Sequence, residues 1–413
     1  MCYFRTSCRK GAYIFQKGKA VSIAKKIEDS ISRSSWIRRM FEDGIKLKEQ
    51  FGEENVYDFT LGNPNVAPPN EFQKLLIEAA RSDNPGKHAY MPNAGYIETR
   101  NAIAAYLSHD QGIPLTGNHI VMTCGAGGAL NVILKTLLDP GDEVIVPAPF
   151  FAEYQFYVDN HGGCFKPILS RDDFSIDFNA LSEAITEHTK AVLINSPNNP
   201  TGKVYDEETI RALSSLLNEK SKAAGRPIYL ISDEPYRDIV YDGIKVPSLL
   251  KDYPNSIIAT SYSKTLSIPG ERIGYIAANP SIPEIEKVMA GLILSNRILG
   301  FVNAPALMQR IIAGMQGITV NIEIYKRKRD LLCDGLAQIG YSFNRPQGAF
   351  YLFPKSPIPD DVRFVKSLQE KNILTVPGSG FGAPGYFRIA YCVREESIIN
   401  AMPGFQEVLH SYC

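Results

Sequence analysis

The chain lacks the residues that mark several common kinds of protein. Its seven cysteines, scattered from Cys2 to Cys413, form no CxxC pair and no zinc-ligand spacing with the six histidines. An odd, dispersed set of thiols excludes a disulfide framework and fits a reducing cytoplasm. Net charge is lacking too, since 44 basic residues balance 44 acidic ones. There is neither the basic footprint of a nucleic-acid binder nor an acidic tail. Long apolar runs are also missing: Val288 to Val302 is broken by Asn296 and Arg297, so no membrane span is expected. Finally, Met1 to Ile27 holds no Asp or Glu, while Lys and Arg recur from Arg5 to Lys26. This extension, residues 1–27, is expected to be disordered; an organelle-targeting segment is the other reading, and its apolar runs are too short for a secretory signal.

What is present is material for a large core. Hydrophobic residues make up 44% of 413 positions, enough for two or three domains. Strand-like apolar runs recur at 119–124, 143–148, 164–169, 190–195, 228–232, 257–262 and 273–278. Helical patterns separate several of them, at Leu130 to Leu138, Phe151 to Asn160, Ala180 to Thr186 and Glu207 to Glu219. Such alternation predicts a three-layer α/β/α fold around a mostly parallel seven-stranded sheet, here assigned to residues 71–305. A long helical pattern over 283–314 has a break near Asn303-Ala-Pro305.

A smaller α/β domain is expected from 306–413 together with 28–70. Its elements are a helix over 324–339, a strand over Gly348 to Pro354, a helix from Val362 to Gln369, a strand from Tyr386 to Cys392 and a helix from Glu395 to His410. Earlier in the chain, Ile31 to Phe51 carries Trp36, Ile37, Met40 and Ile45 at helical intervals. No repeat or low-complexity segment is evident.

Chemistry concentrates at the predicted strand ends, where open parallel sheets place their sites. Ser261-Tyr-Ser-Lys264 follows one strand, and Arg272 stands eight residues beyond the lysine, after a Pro269-Gly270 turn. A lysine desolvated beside other cations becomes a nucleophile for an aldehyde, and arginine with serine hydroxyls suits a phosphate. An aldehyde and a phosphate on one small molecule point to pyridoxal 5'-phosphate (PLP). The plainer readings are a solvated loop lysine and a surface arginine.

Thr123-Cys-Gly-Ala126-Gly127-Gly-Ala-Leu-Asn131 is a glycine-rich turn opening a helix, a natural anion site. It is no dinucleotide fingerprint, because Leu130 stands where the third glycine belongs, and no P-loop, because Gly-Lys-Ser/Thr is absent. Phe151 offers a flat ring for a heterocycle, or core packing. Asn199, within Asn195-Ser-Pro-Asn-Asn-Pro-Thr-Gly202, offers an amide donor. Asp233, in Asp233-Glu-Pro-Tyr236, is costly at the end of an apolar strand unless paired; a pyridinium nitrogen or a helix N-cap would pair it. Gly62 can bring backbone close to a ligand or serve a plain turn, and Tyr90 can act chemically or pack.

As a set these residues resemble the fold-type I PLP enzymes of the class I/II aminotransferase family, aspartate/aromatic aminotransferase-like, over about residues 30–410. The motifs that carry the likeness are Tyr90…Gly95, Asn-Asn-Pro-Thr-Gly, Asp-Glu-Pro-Tyr, Ser-Tyr-Ser-Lys with its arginine, and Phe-Arg388-Ile-Ala-Tyr. The resemblance implies that Lys264 joins the cofactor aldehyde and then moves the Cα proton. It implies that Asp233 holds the ring nitrogen, Asn199 and Tyr236 the ring hydroxyl, and Phe151 the ring face. Ser261, Arg272 and the backbone of Ala126 and Gly127 would hold the phosphate, with Ser263 as a further ligand and Tyr90 arriving from the partner subunit of a homodimer. Arg388 would grip the substrate α-carboxylate, with Asn199 and the Gly62 backbone alongside.

One local pattern departs from the family. The animal and enterobacterial aspartate aminotransferases read a distal carboxylate with an arginine of the other subunit, and Ser295-Asn-Arg297-Ile-Leu-Gly is not a clean match to that segment. Arg297 is a candidate for the role and equally a helix-surface charge; Trp36 and Ile37 are candidates to line the side-chain pocket. Acidic and aromatic donors both stay open. The expected activity is ping-pong transamination between an L-amino acid, aspartate among the candidates, and a 2-oxo acid such as 2-oxoglutarate, by a cytoplasmic homodimer without nucleic-acid or membrane partners. The alternatives are a β-eliminating lyase on the same fold and a PLP-binding regulatory module, for whose DNA-binding domain the short extension leaves no room.

Overall fold

The computed structural model describes residues 23–33 and 44–412. Trp36, Ile37 and Met40 of the expected early helix, and most of the basic extension, lie outside the described residues. Within them a helix spans Lys25–Arg33, so the last residues of the extension are helical, and residues 44–51 are helical as well.

All seven expected strands form one sheet: β1 Ile120–Thr123, β2 Glu143–Ala148, β3 Cys164–Leu169, β4 Thr189–Asn195, β5 Tyr229–Asp233, β6 Ser256–Ser261 and β7 Gly274–Ala278. Their spatial order is β1-β7-β6-β5-β4-β2-β3. Every pairing is parallel except the two made by β7, which runs against both β1 and β6. Because strand side chains alternate, successive residues feed two separate cores. Ile120, Met122, Val192, Ile194, Leu230 and Ile258 pack on one face, while Val121, Val144, Val146, Leu193, Ile231 and Ile257 pack on the other. Each such buried side chain contributes about 1.5–3 kcal/mol, which is why these runs read as continuously apolar.

The covering helices begin and end on local chemistry. Glu207–Ala224 starts where the Asp206 side chain accepts the Thr209 amide and stops at Gly225, whose φ is 65°. The long helical run after β7 splits into Ile285–Ile298 and Ala306–Ala313, with Gly300 and Val302 at positive φ and Pro305 in the gap. Met308, Ile311 and Ile312 of the second piece join the sheet core, although the sequence division at 306 places them in the smaller domain. The physical boundary lies nearer Val320, the first residue after that helix to enter the other core.

The smaller unit has its own apolar centre, including Phe59, Tyr325, Phe364, Phe387 and Phe405. Helices Ile322–Ile339, Asp361–Gln369 and Glu395–His410 surround a three-stranded antiparallel sheet of Val376–Pro377, Phe387–Ala390 and Tyr351–Leu352. Tyr57–Asp58 pairs in parallel with Ile373–Leu374, which ties the early chain to this unit. The strand expected over Gly348 to Pro354 is cut to Tyr351–Leu352, because Ala349 has φ 56° and cannot sit in extended backbone.

Candidate active site

Strand register brings the predicted residues to one edge of the sheet. Asn195 pairs with Asp233 at the ends of β4 and β5, Asp233 pairs with Ala259, and Gly274 pairs with both Thr123 and Ser261. The reversed direction of β7 is what brings Arg272 here, since it precedes the strand rather than following it. A cavity of about 330 Å³ opens at this edge and is closed on the far side by Tyr351, Phe381 and Arg388 of the smaller unit.

Asp233 lies at its buried end. One carboxylate oxygen, Oδ2, accepts the Tyr154 hydroxyl at 2.5 Å, and the other, Oδ1, is buried with no partner. Burial pushes the carboxyl up to about 7, against the Tyr154 hydrogen bond that lowers it, and the charge of Glu234 adds to the rise. Lys264 Nζ donates to the Gly62 carbonyl at 2.6 Å. Desolvation, with Arg388 and Arg272 nearby, brings its amine down to about 8.

Arg388 is buried between two rings, with its guanidinium carbon 4.8 Å from the Tyr351 centroid and 4.7 Å from that of Phe381. Its Nη1 donates to Asn199 Oδ1 at 3.0 Å and its Nη2 to the Thr60 carbonyl, while Nε is buried without a partner. Tyr236 and Tyr351 share a hydroxyl hydrogen bond of 2.8 Å. Ser261 and Ser263 are buried at the cavity wall. The helix Gly125–Leu137 starts there without a side-chain cap, so its first N–H groups, those of Ala126 and Gly127 among them, are available to an anion.

This arrangement can hold an aromatic cation against Asp233, an anion at the helix start and a carboxylate at Arg388. Residues 54–402 match the family described as aminotransferase class I and II. The chain belongs to that family. It is 35% identical over 357 residues to a probable aspartate aminotransferase of Methanocaldococcus jannaschii, covering 84% of this chain and 92% of the relative. It is 34% identical to an aspartate/prephenate aminotransferase of Thermus thermophilus, covering 85% and 90%. Among solved structures, an amino transferase from Eubacterium rectale superimposes with a TM-score of 0.92 at 42% identity, over 95% of this chain and all of that one. A Thermus thermophilus aspartate aminotransferase with maleate gives 0.82 at 28% identity, over 94% and 100%.

The chain is thus an aminotransferase, and the family implies use of PLP. Of the predicted site residues, the aminotransferase gathers Gly62, Ala126, Gly127, Phe151, Asn199, Asp233, Tyr236, Ser261, Ser263, Lys264, Arg272 and Arg388 on one cavity. Gly62 is more than a turn residue, since a Cβ there would lie 1.8 Å from the Tyr351 hydroxyl. Two candidates stay apart from the cavity of their own chain. Tyr90 is 88% exposed, and Arg297 stands on the exposed side of the helix Ile285–Ile298.

Cavity residues that escaped the sequence reading include Glu153, Tyr154, Tyr157, Tyr351 and Phe381. Glu153 and Tyr154 come two and three residues after Phe151, just beyond the end of β2, and that position was the available signal. Among the described residues no cluster of His, Cys, Asp and Glu could hold a metal ion, and no helix is long and apolar enough to cross a membrane.

Proposed function

We propose that this aminotransferase moves an amino group from an L-amino acid to a 2-oxo acid in two half-reactions that share this cavity, with PLP as the resident cofactor. The reading is carried by one observation: Asp233 with its bare Oδ1, Lys264, and Arg388 with its free Nε line the same cavity. Buried polar groups without partners call for an explanation, and a bound cofactor and substrate supply one.

The residues fit the cofactor group by group. Asp233 suits a protonated ring nitrogen. Asn199, whose Oδ1 is taken by Arg388, keeps its N–H₂ for the ring hydroxyl, with Tyr236 beside it. Ser261, Ser263, Arg272 and the first-turn amides of Ala126 and Gly127 suit the phosphate, and Phe151 presents a ring face. When bound, the cofactor supplies an electron sink that acidifies the Cα–H of the amino acid joined to it.

The chain's own groups do the remaining work. With its amine near 8, Lys264 has a neutral fraction at neutral pH able to take up the Cα proton and return it. The Gly62 carbonyl fixes where that amine points. Tyr154 fixes Asp233 through Oδ2, which leaves Oδ1 free for a ligand. Arg388, clamped between rings, offers a planar fork to an α-carboxylate. Donor and acceptor both carry that carboxylate, so one arginine serves both half-reactions.

The relatives' names make aspartate the first donor to test. We also propose a cytoplasmic homodimer in which Tyr90 of the partner subunit completes the phosphate site, a role its exposure in one chain leaves open to it. The test is a panel of amino acids assayed with 2-oxoglutarate and with pyruvate on purified, cofactor-loaded enzyme. Transamination is expected in the wild type, and Lys264→Ala is expected to lose turnover together with the absorbance of the lysine-linked cofactor; a fully active Lys264→Ala enzyme would sink the mechanism.

A further inference from the structure

Four of the charged side chains lining the cavity, Lys264, Asp233, Arg272 and Arg388, have work in the reading above; the fifth, Glu153, has none. It is the residue before the short helix Tyr154–Asn160, where a carboxylate commonly caps the first amides. Here the side chain makes no cap hydrogen bond. Its Oε2 is enclosed without any hydrogen-bond partner. Burial raises its carboxyl; a hydrogen bond from its own backbone N–H and, less, the positive charge of Arg388 offset part of that rise. A carboxylate oxygen buried without a partner is unfavourable, and a ligand that brings an N–H group to it removes the cost.

The same cavity contains no cation left over for a second carboxylate among the described residues. Arg297, the sequence candidate for that role, is absent from the cavity of its own chain and, like Tyr90, is exposed where only a partner subunit could receive it. Within the cavity of one chain, the charge a dicarboxylic donor on Arg388 would meet in Glu153 is a like charge.

We propose that Glu153 sets donor specificity, its carboxylate accepting hydrogen bonds from a donor side chain that ends in N–H, amide or cationic, and rejecting donors with a distal carboxylate. The proposal rests on the transamination reading and departs from the aspartate named in the relatives' descriptions. Discrimination of this kind uses both an attractive and a repulsive element.

The test measures kcat/KM on cofactor-loaded enzyme with pyruvate as a common monocarboxylic acceptor, following alanine formation. Donors are arginine, glutamine, glutamate and aspartate, each expressed relative to methionine. In the wild type arginine or glutamine is expected to exceed glutamate by about tenfold or more, the size of one charge-assisted contact. Glu153→Gln and Glu153→Ser should both shrink that ratio by about tenfold or more. A readout independent of turnover is calorimetric binding of two unreactive ligands: wild type should prefer 4-guanidinobutyrate over glutarate, and both variants should lose the preference. Glutamate or aspartate as the best wild-type donor, or variants that change every donor by one common factor, would overturn the proposal while leaving transamination intact. Absence of amino-group transfer from every donor, to pyruvate and to 2-oxoglutarate alike, would overturn both.

Discussion

Asp233 offers a perturbation whose sign is opposite in the cofactor-free and cofactor-loaded enzyme. In the free protein its carboxyl is raised from the ordinary value of 3.8 to about 7. A displacement of that size corresponds to about 4 kcal/mol. A raised aspartate keeps in the folded state a proton that the unfolded chain has already released. Stability from this group is therefore fully present below about pH 4 and is lost as pH rises through 7. Asp233→Asn carries no charge and escapes the loss, although its amide N–H₂ faces the space where Oδ1 has no partner, at a cost of about 1–3 kcal/mol.

The difference leaves cofactor-free Asp233→Asn more stable than wild type by about 1–3 kcal/mol at pH 8, with the advantage gone by pH 5. With PLP bound the order inverts, because the wild-type carboxylate then meets a ring cation that asparagine cannot balance. Urea unfolding of both proteins at pH 5 and pH 8, with and without PLP, reads all four cases. A cofactor-free variant that is no more stable than wild type at pH 8, or whose advantage does not change with pH, would refute the reasoning.

Tyr154→Phe removes the one donor to Asp233 Oδ2; a hydrogen bond to a charged group is worth about 1.5–3 kcal/mol, so PLP affinity measured by fluorescence titration should fall about 10- to 100-fold. The lysine amine near 8 predicts that capture of PLP by cofactor-free enzyme accelerates as pH rises to about 8 and then levels, since only the neutral amine attacks; a stopped-flow rate flat from pH 6 to 9 would contradict this. Arg388→Lys keeps the charge but loses the planar fork and its stacking between Tyr351 and Phe381, so KM for amino acids should rise about 10- to 100-fold with PLP affinity unchanged.

The catalytic edge was legible because its residues are polar groups set at the ends of apolar runs, where burial without purpose is unfavourable. Asp233 after Leu230-Ile-Ser and Lys264 after Ser261 stand out for that reason. Strand direction was not legible, since a fully buried run such as Gly274–Ala278 reads the same in either sense. Glu153 and Tyr154 were hidden by their neighbours: Phe150, Phe151, Tyr154, Phe156 and Tyr157 form a stretch in which a packing aromatic and a functional one look alike. Tyr351 was hidden in the same way, inside a segment that reads simply as an apolar strand.

The short loop after Tyr57–Asp58 links the two halves of the chemistry more directly than any ionisable residue does. Its Thr60 carbonyl accepts from Arg388 and its Gly62 carbonyl accepts from Lys264. Two residues of extended chain reach at most about 7 Å, so this loop bounds the separation between the group proposed to grip a carboxylate and the amine proposed to move a proton. The loop is held in turn by the smaller unit, through the parallel pairing of Tyr57–Asp58 with Ile373–Leu374 and through the Tyr351 hydroxyl, which leaves no space for a side chain at Gly62. Lys264 belongs to the large sheet and Arg388 to the small one, so the relative placement of the two cores enters the acid–base geometry through two backbone carbonyls. Neither Thr60 nor Gly62 titrates, yet both take part in setting the distance on which the proposed proton transfer at Cα depends.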